Sequence, residues 1–134
     1  MGAWGIGAFE NDDAADMVMD VVDGGGLERL KGAIAAVLEA GDEYLEAPIA
    51  AEGLAAAEII ALWKNGETVA ATEAHGLADW LKSNKAQPST QLIASARQAI
   101  ERVLRAPSEL LELWSETDES TAWKANAAKT TARL

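Results

Sequence analysis

The chain has 134 residues, of which 49% are hydrophobic and 25% are charged. This length and composition fit one globular domain and exclude a wholly disordered or fibrous protein. Cysteine is absent, which excludes a disulfide framework, a thiolate metal site and a cysteine nucleophile. The formal net charge is −11, so we do not expect binding to nucleic-acid phosphates, and any macromolecular partner should be basic.

The first residues, Met1 to Gly5, lack the basic and apolar regions of a signal peptide. No apolar run approaches the roughly 20 residues of a membrane span, so we expect a cytoplasmic protein without a membrane segment. The acidic excess lies entirely in the first half of the chain. Residues 1–63 contain thirteen acidic residues against Arg29 and Lys31, whereas residues 64–134 contain nine residues of each sign.

Glycine recurs at the start of the chain, which makes a helix over residues 1–10 unfavourable. We expect an extended segment that packs on the helices and inserts Trp4 and Phe9 between them. A Gly-x-Gly sequence ahead of a helix can also bind phosphate through free amide groups. Glu10 and the acidic residues after it stand where such an anion would bind, so packing is the better interpretation.

The first helix begins at Asn11, a typical N-cap, and the acidic residues of its first turn complement the helix dipole. Its buried face is predicted from apolar residues at helical spacing: Met17, Val18, Val21 and Val22. The glycines at 24–26 end this helix near Asp23. A second amphipathic helix follows and ends near Gly41, and its apolar face consists of Leu27, Leu30, Ile34, Val37 and Leu38.

A third helix begins near Pro48 and reaches Trp63. Glu52 and Glu58 are its only charged residues, and alanine, isoleucine and leucine make up most of the rest. Because such a helix has no polar face, we expect it at the centre of the fold. Its many alanines should allow neighbouring helices to approach closely.

The second half of the chain contains further helical regions. A short fourth helix includes Leu77, Trp80 and Leu81, and a fifth follows Pro88 with an apolar stripe of Leu92, Ile93, Ala96, Ile100, Val103 and Leu104. The last region, from residue 108 to about 129, is predicted to break near residues 117–119. No strand of useful length is indicated. The sequence therefore predicts an all-α fold, a single domain over residues 1–134 with five to seven helices in a bundle-like array.

The opening residues, Met1 to Asp16, read MGAWGIGAFENDDAAD. They resemble the start of a bacterial domain-of-unknown-function family whose members begin M-G-x-W-G-x-G-x-F-[DE]-N-D-x-A-x-D. The similarity continues through residues 54–58 and 108–114, so it spans almost the whole chain. Met17 departs from the pattern, because we expect an aromatic residue there. The resemblance implies no activity, substrate or cofactor.

A row of carboxylates follows one face of the first helix, because Asp12, Asp16 and Asp20 are four residues apart. Mg²⁺ and Ca²⁺ prefer oxygen ligands, so these three aspartates and His75 are candidate metal ligands. One helix alone gives poor metal geometry, and no calcium-binding loop or Glu-x-x-His motif completes the set. A solvated acidic face is the simpler interpretation.

Glu52 and Glu58 raise a separate question, because a carboxylate that faces a core is costly unless it finds a partner. The two residues are six positions apart on one helix and should point in different directions, which argues against a catalytic carboxylate pair. We expect Glu58 to meet an arginine such as Arg97 or Arg102, or a backbone amide.

The only histidine, His75, lies four residues before Asp79, but no nucleophile motif completes a catalytic arrangement. We therefore expect neither an enzyme nor a bound cofactor. The leading hypothesis is an acidic interaction protein that docks a basic protein, as an immunity or inhibitor protein does, with Trp4, Asp16, Asp20 and Asp23 as candidate contact residues. The alternative is a metal-binding enzyme or sensor built on the first helix. A homo-oligomer also stays open.

Overall fold

The computed structural model describes residues 3, 5–68 and 76–134, so Trp4 and His75 lie outside the described residues. The described residues form seven α-helices and no β-strand, which confirms the predicted all-α fold. The helices are α1 (Asp12–Asp20), α2 (Gly26–Glu39), α3 (Ala47–Asn65), α4 (Leu77–Ser83), α5 (Thr90–Val103), α6 (Glu109–Ser115) and α7 (Ser120–Arg133). No helix in this part of the chain has the length and apolar character needed to span a membrane.

The central helix is α3, and α1, α2, α5, α6 and α7 all pack against it. Pro48 occupies its first turn, and Gly66 follows its last residue in the left-handed conformation, with φ 65°. Gly53 lies where α2 approaches α3, and a Cβ at this position would overlap the side chain of Val37. The small residues of α3 therefore bring α2 close, as the alanine-rich sequence predicts.

The first two helices are joined by one π-helical turn, Val21–Gly25. The predicted cap of α1 is confirmed, because the Asn11 side chain accepts a hydrogen bond from the backbone N–H of Ala14 at 2.8 Å. Gly24 has φ 127°, a backbone conformation that favours glycine, and it bends the chain between the two helices. The glycines thus end the first helix near the predicted position.

Tryptophans hold the later helices in place. The predicted break near residues 117–119 is confirmed, since α6 and α7 are separate helices. Trp114 of α6 stacks on Trp123 of α7 with ring centroids 5.8 Å apart. Trp63 and Trp80 meet edge to face, with ring centroids 6.0 Å apart. Trp80 is half-buried, and the other three of these rings are buried. These four rings pack within the fold, as expected for large aromatic side chains.

Arg102 on α5 is buried and connects two loops. Its guanidinium donates to the carbonyl oxygens of Gly41 at 2.6 Å and Glu43 at 2.5 Å in the loop between α2 and α3. It also donates to the carbonyl oxygens of Pro107 at 3.0 Å and Arg105 at 2.9 Å, beyond the end of α5. Burial lowers the pKa of Arg102, yet a guanidinium stays charged in a protein. This one cation therefore fixes the relative position of both loops.

The described residues of the N-terminal segment, 3 and 5–10, pack on the helices, but their path differs from the expected extended one. Ala3 and Asn11 form an isolated antiparallel bridge, and the chain bends through residues 5–10 between them. Ile6 and Phe9 are partly buried against the core. The segment is therefore a closed loop that covers part of the bundle.

Candidate functional site

The exposed side of α1 and of the π-helical turn is acidic. We name it the α1 acidic face, and its members are Asp12, Asp13, Asp16, Met19, Asp20 and Asp23. All five carboxylates are exposed, and Met19, which is 49% exposed, adds an exposed apolar side chain. The opposite side of α1 is buried against α3 and consists of Ala14, Met17 and Val18. Helical spacing thus divides the helix into a packed side and a charged side.

Asp20 is the only member of the α1 acidic face that has an ion-pair partner among the described residues. Its Oδ2 lies 3.2 Å from Nε of Arg29 on α2, and Nη2 of the same arginine lies 2.8 Å from Oε1 of Glu52 on α3. Burial lowers the pKa of Arg29, but its hydrogen bonds to the two carboxylates and their charges outweigh burial and raise the pKa above its ordinary value. Arg29 therefore ties three helices together.

The metal hypothesis gains no support from the described residues, because they contain no group of three or more His, Cys, Asp or Glu side chains that could hold a metal ion. Asp12 and Asp16 are exposed on one helix, and Arg29 already bridges Asp20 to Glu52. His75, the fourth candidate ligand, lies outside the described residues. The described carboxylates form a charged surface and no coordination site.

Of the four predicted contact residues, Asp16, Asp20 and Asp23 lie together on the α1 acidic face, and Trp4 lies outside the described residues. Met19 is exposed on the same face. Its sequence signal is position, because it stands three residues after Asp16 and four before Asp23, which places all three on one side of a helix.

The opening loop binds its own carboxylate. The backbone N–H of Gly7 donates to Oε1 of Glu10 at 3.1 Å, and the backbone N–H of Glu10 donates to the carbonyl oxygen of Gly7 at 3.0 Å. A Cβ at Gly5 or Gly7 would overlap the Glu10 side chain, so glycine leaves the room that this side chain fills. The Glu10 carboxylate therefore takes the hydrogen bond from the Gly7 amide that a phosphate would need, and this bond closes the segment into a loop.

Glu52 and Glu58 point to different neighbours of α3, as their spacing predicts. Glu52 meets α2 through Arg29, whereas Glu58 meets α7, with its Oε1 2.7 Å from Nη1 of Arg133. Glu58 also accepts a hydrogen bond from Oγ1 of Thr130 at 3.0 Å. Burial lowers the pKa of Arg133, but its bonds to Glu58 and to a second carboxylate outweigh burial and raise that pKa. Both glutamates therefore join α3 to a neighbouring helix.

The prediction that Glu58 meets an arginine is confirmed, but the arginine is Arg133, and the two examples given, Arg97 and Arg102, are wrong. Arg97 donates to the carbonyl oxygen of Leu134, and Arg102 donates to backbone carbonyls in two loops. Among the described residues, Glu58 accepts no hydrogen bond from a backbone amide, which was the alternative partner. Arg97, Arg102 and Arg133 differ in which helix lies beside them, and sequence spacing does not reveal that arrangement.

Tyr44 is a surface residue that the sequence analysis missed. It is 51% exposed in the loop between α2 and α3, and its Oη donates to Oε2 of Glu112 on α6 at 2.6 Å. This hydrogen bond, with smaller contributions that include the charges of Glu109 and Glu46, raises the pKa of Tyr44 from 10.0 to about 12. The available signal is the lone tyrosine of the chain within the acidic stretch DEYLE, residues 42–46.

A family model described as Domain of unknown function (DUF4259) matches residues 2–126. No curated protein and no solved structure matches the chain. The matched range includes the whole α1 acidic face and extends into α7. The chain therefore belongs to the DUF4259 family.

Proposed function

We propose that this protein is a non-enzymatic binding protein whose α1 acidic face docks a basic protein partner. The observation that carries the proposal is the exposure of five carboxylates, of which Asp20 alone is ion-paired within the described part of the chain. Like charges at helical spacing repel one another and weaken a helix. Asp16 and Asp23 lie beyond the first turn of α1 and have no ion-pair partner among the described residues, so a partner explains them better than folding does.

The chemistry of the α1 acidic face suits a protein contact. Met19 lies between Asp16 and Asp23 on the helix surface, and a flexible thioether adapts well to a partner of irregular shape. Carboxylates around an apolar centre attract lysine and arginine side chains and accelerate the encounter with a basic protein. An immunity or inhibitor protein that neutralises a basic enzyme is one class that fits this surface.

The test immobilises the 134-residue chain and its variants and compares the basic proteins that each retains from an extract of the source organism. The face variant combines Asp12→Asn, Asp16→Asn and Asp23→Asn. It preserves Asp20, so the contact with Arg29 and the join between α1 and α2 should stay intact. This variant takes the formal net charge from −11 to −8, because three negative charges are removed.

The matched control removes three exposed carboxylates from the second half of the chain through Glu101→Gln, Glu116→Gln and Asp118→Asn. Its formal net charge is also −8, since it too loses three of the 22 acidic groups. We expect the wild type and the control to retain the same basic proteins at low salt and to release them near 1 M salt, where screening acts within about 3 Å. Equal retention by the face variant, or no basic protein on the wild type, would contradict the proposal.

A further inference from the structure

The π-helical turn Val21–Gly25 lies at the end of the α1 acidic face and carries Asp23, one of its exposed carboxylates. A hydrogen bond from the backbone N–H of Gly26 to the carbonyl oxygen of Val21, five residues earlier, closes the turn. π-Helical turns are rare in proteins, and many of them lie at functional sites. The position of Asp23 relative to Asp16 therefore depends on how this turn is held.

The side chain of Arg29 passes directly against the turn. A Cβ on Gly25 would lie 2.9 Å from the Cβ of Arg29 and 2.7 Å from the carbonyl oxygen of Asp20, so glycine makes this approach possible. Arg29 donates from Nε to Oδ2 of Asp20, the residue just before the turn, at 3.2 Å. It also donates from Nη2 to Oε1 of Glu52 at 2.8 Å. One side chain therefore connects both ends of the turn to the central helix α3.

The turn is held from a second side as well. Val22 lies against Gly76 at the start of α4, where a Cβ would lie 2.7 Å from Cγ1 of Val22. Val21 is fully buried in the core. Asp23 and Gly24, by contrast, are exposed, and no atom of the described residues lies within 4 Å of the position that a Cβ would take on Gly24. The fold thus holds the inner side of the turn and leaves the outer side, with Asp23, open to a partner.

We propose, on the basis of the docking function proposed above, that Arg29 is a positioning residue for the α1 acidic face. By bridging Asp20 to α3 it fixes the turn, so that Asp23 contacts the same basic partner as Asp16 and Met19. A turn that is already ordered spares the partner the cost of ordering it on binding. Charge and position therefore predict opposite effects when Arg29 is lost. Removal of a cation should strengthen the attraction to a basic partner, whereas loss of position should weaken binding.

The test compares Arg29→Gln with Lys31→Gln, and both variants have a formal net charge of −12 because each loses one cation. Lys31 is a matched control on α2, since its ion pair in the described chain is a 3.9 Å contact with Glu28. The probe is the basic protein that the wild type retains in the greatest amount. Arg29→Gln should weaken its affinity about threefold to tenfold, whereas Lys31→Gln should bind it at least as tightly as the wild type. Undiminished binding by Arg29→Gln would overturn the positioning role alone, whereas no retained protein on the wild type would overturn the docking function itself.

A second pair of variants changes the turn without changing the charge. Gly24→Ala places a Cβ on a residue with φ 127°, whereas Gly32→Ala changes a glycine within α2 that has no such strain. Gly24→Ala should weaken the same binding, and Gly32→Ala should not. Hydrogen exchange of the Gly26 N–H should be at least about tenfold faster in Arg29→Gln and in Gly24→Ala than in their controls. Unchanged exchange in Arg29→Gln would show that Arg29 does not hold the turn. If Arg29→Gln does not fold, wild-type binding by Gly24→Ala would overturn the proposal.

Discussion

Two sets of carboxylates in this acidic chain have opposite surroundings. On the central helix α3, the side chains of Glu52 and Glu58 are 30% and 15% exposed, and each meets an arginine from a neighbouring helix. On the α1 acidic face, five carboxylates are exposed and only Asp20 shares an arginine among the described residues. Each glutamate of α3 therefore has an arginine beside it, whereas four of the five α1 carboxylates have none among the described residues.

This difference separates charge that supports folding from charge that a partner can use. A carboxylate near a core loses water and needs a cation or hydrogen-bond donors, whereas an exposed carboxylate keeps its hydration and needs neither. The α3 set thus has a structural explanation. In the α1 set, Asp20 pairs with Arg29 and Asp12 and Asp13 lie in the first helical turn, so Asp16 and Asp23 are the members without such an explanation in the described fold. Loss of charge from the two sets should have different effects on stability and on binding.

The largest loss of stability is expected at Arg102, the buried cation of the fold. Arg102→Met retains an apolar side chain of similar length but removes the donor from the carbonyl oxygens of Glu43 and Arg105, at a cost of about 3 kcal/mol or more. Thermal unfolding followed by circular dichroism measures this loss. Arg105→Met is the control, because Arg105 is exposed and should contribute less than about 1 kcal/mol. Similar losses in both variants would show that burial does not decide the effect.

The next largest effect is expected at Arg133, which pairs with Glu58 and Glu67. Arg133→Met should cost about 2 kcal/mol in chemical denaturation, because it leaves the partly buried Glu58 without its cation. Lys129→Met changes an exposed residue of the same helix and should cost little. Adding Glu58→Gln to Arg133→Met should recover part of the loss, since the unpaired charge is then removed. If Glu58→Gln instead costs as much stability in the Arg133→Met background as in the wild type, the two residues act independently.

Local signals made much of this fold predictable. Periodicity located the helices, and the lack of a polar face on α3 predicted its central place. The side chain of Asn11 and the glycines at 24–26 act on backbone groups a few residues away, so their roles can be read from adjacent sequence. The many alanines of α3 similarly predicted close helix packing, which the structure shows at Gly53.

The partners of the charged residues could not be predicted, because they depend on which helices lie side by side. Glu58 and Arg133 are 75 residues apart, and Tyr44 and Glu112 are 68 residues apart. The bend of the opening loop was missed although it is local, since its two hydrogen bonds join Gly7 and Glu10, three residues apart. The sequence thus predicted the sign and place of the exposed charge.

The Tyr44 pair lies between the two sets, because Glu112 has a partner although it is exposed. The pKa of Tyr44 is raised from 10.0 to about 12, so this contact stabilises the fold below pH 10.0 and is lost as the pH rises through about 12. Tyr44 is the only tyrosine, so the ultraviolet absorbance of the phenolate measures its pKa directly. Glu112→Gln should bring the pKa back towards 10.0, whereas Glu116→Gln should leave it raised. An ordinary pKa in the wild type would mean that the hydrogen bond to Glu112 does not form in solution.

The smallest change in stability is expected on the α1 acidic face. Asp16→Asn combined with Asp23→Asn removes two exposed carboxylates that repel their neighbours, so the free energy of unfolding should change by less than about 0.5 kcal/mol. Urea denaturation measures it. Asp20→Asn is the comparison within the same face and should cost more, up to about 1 kcal/mol, because it also weakens the contact with Arg29. If the double variant instead lost more than Asp20→Asn, the α1 carboxylates would belong with those of α3. Folding would then explain the acidic excess, and the case for a basic partner would lose its main support.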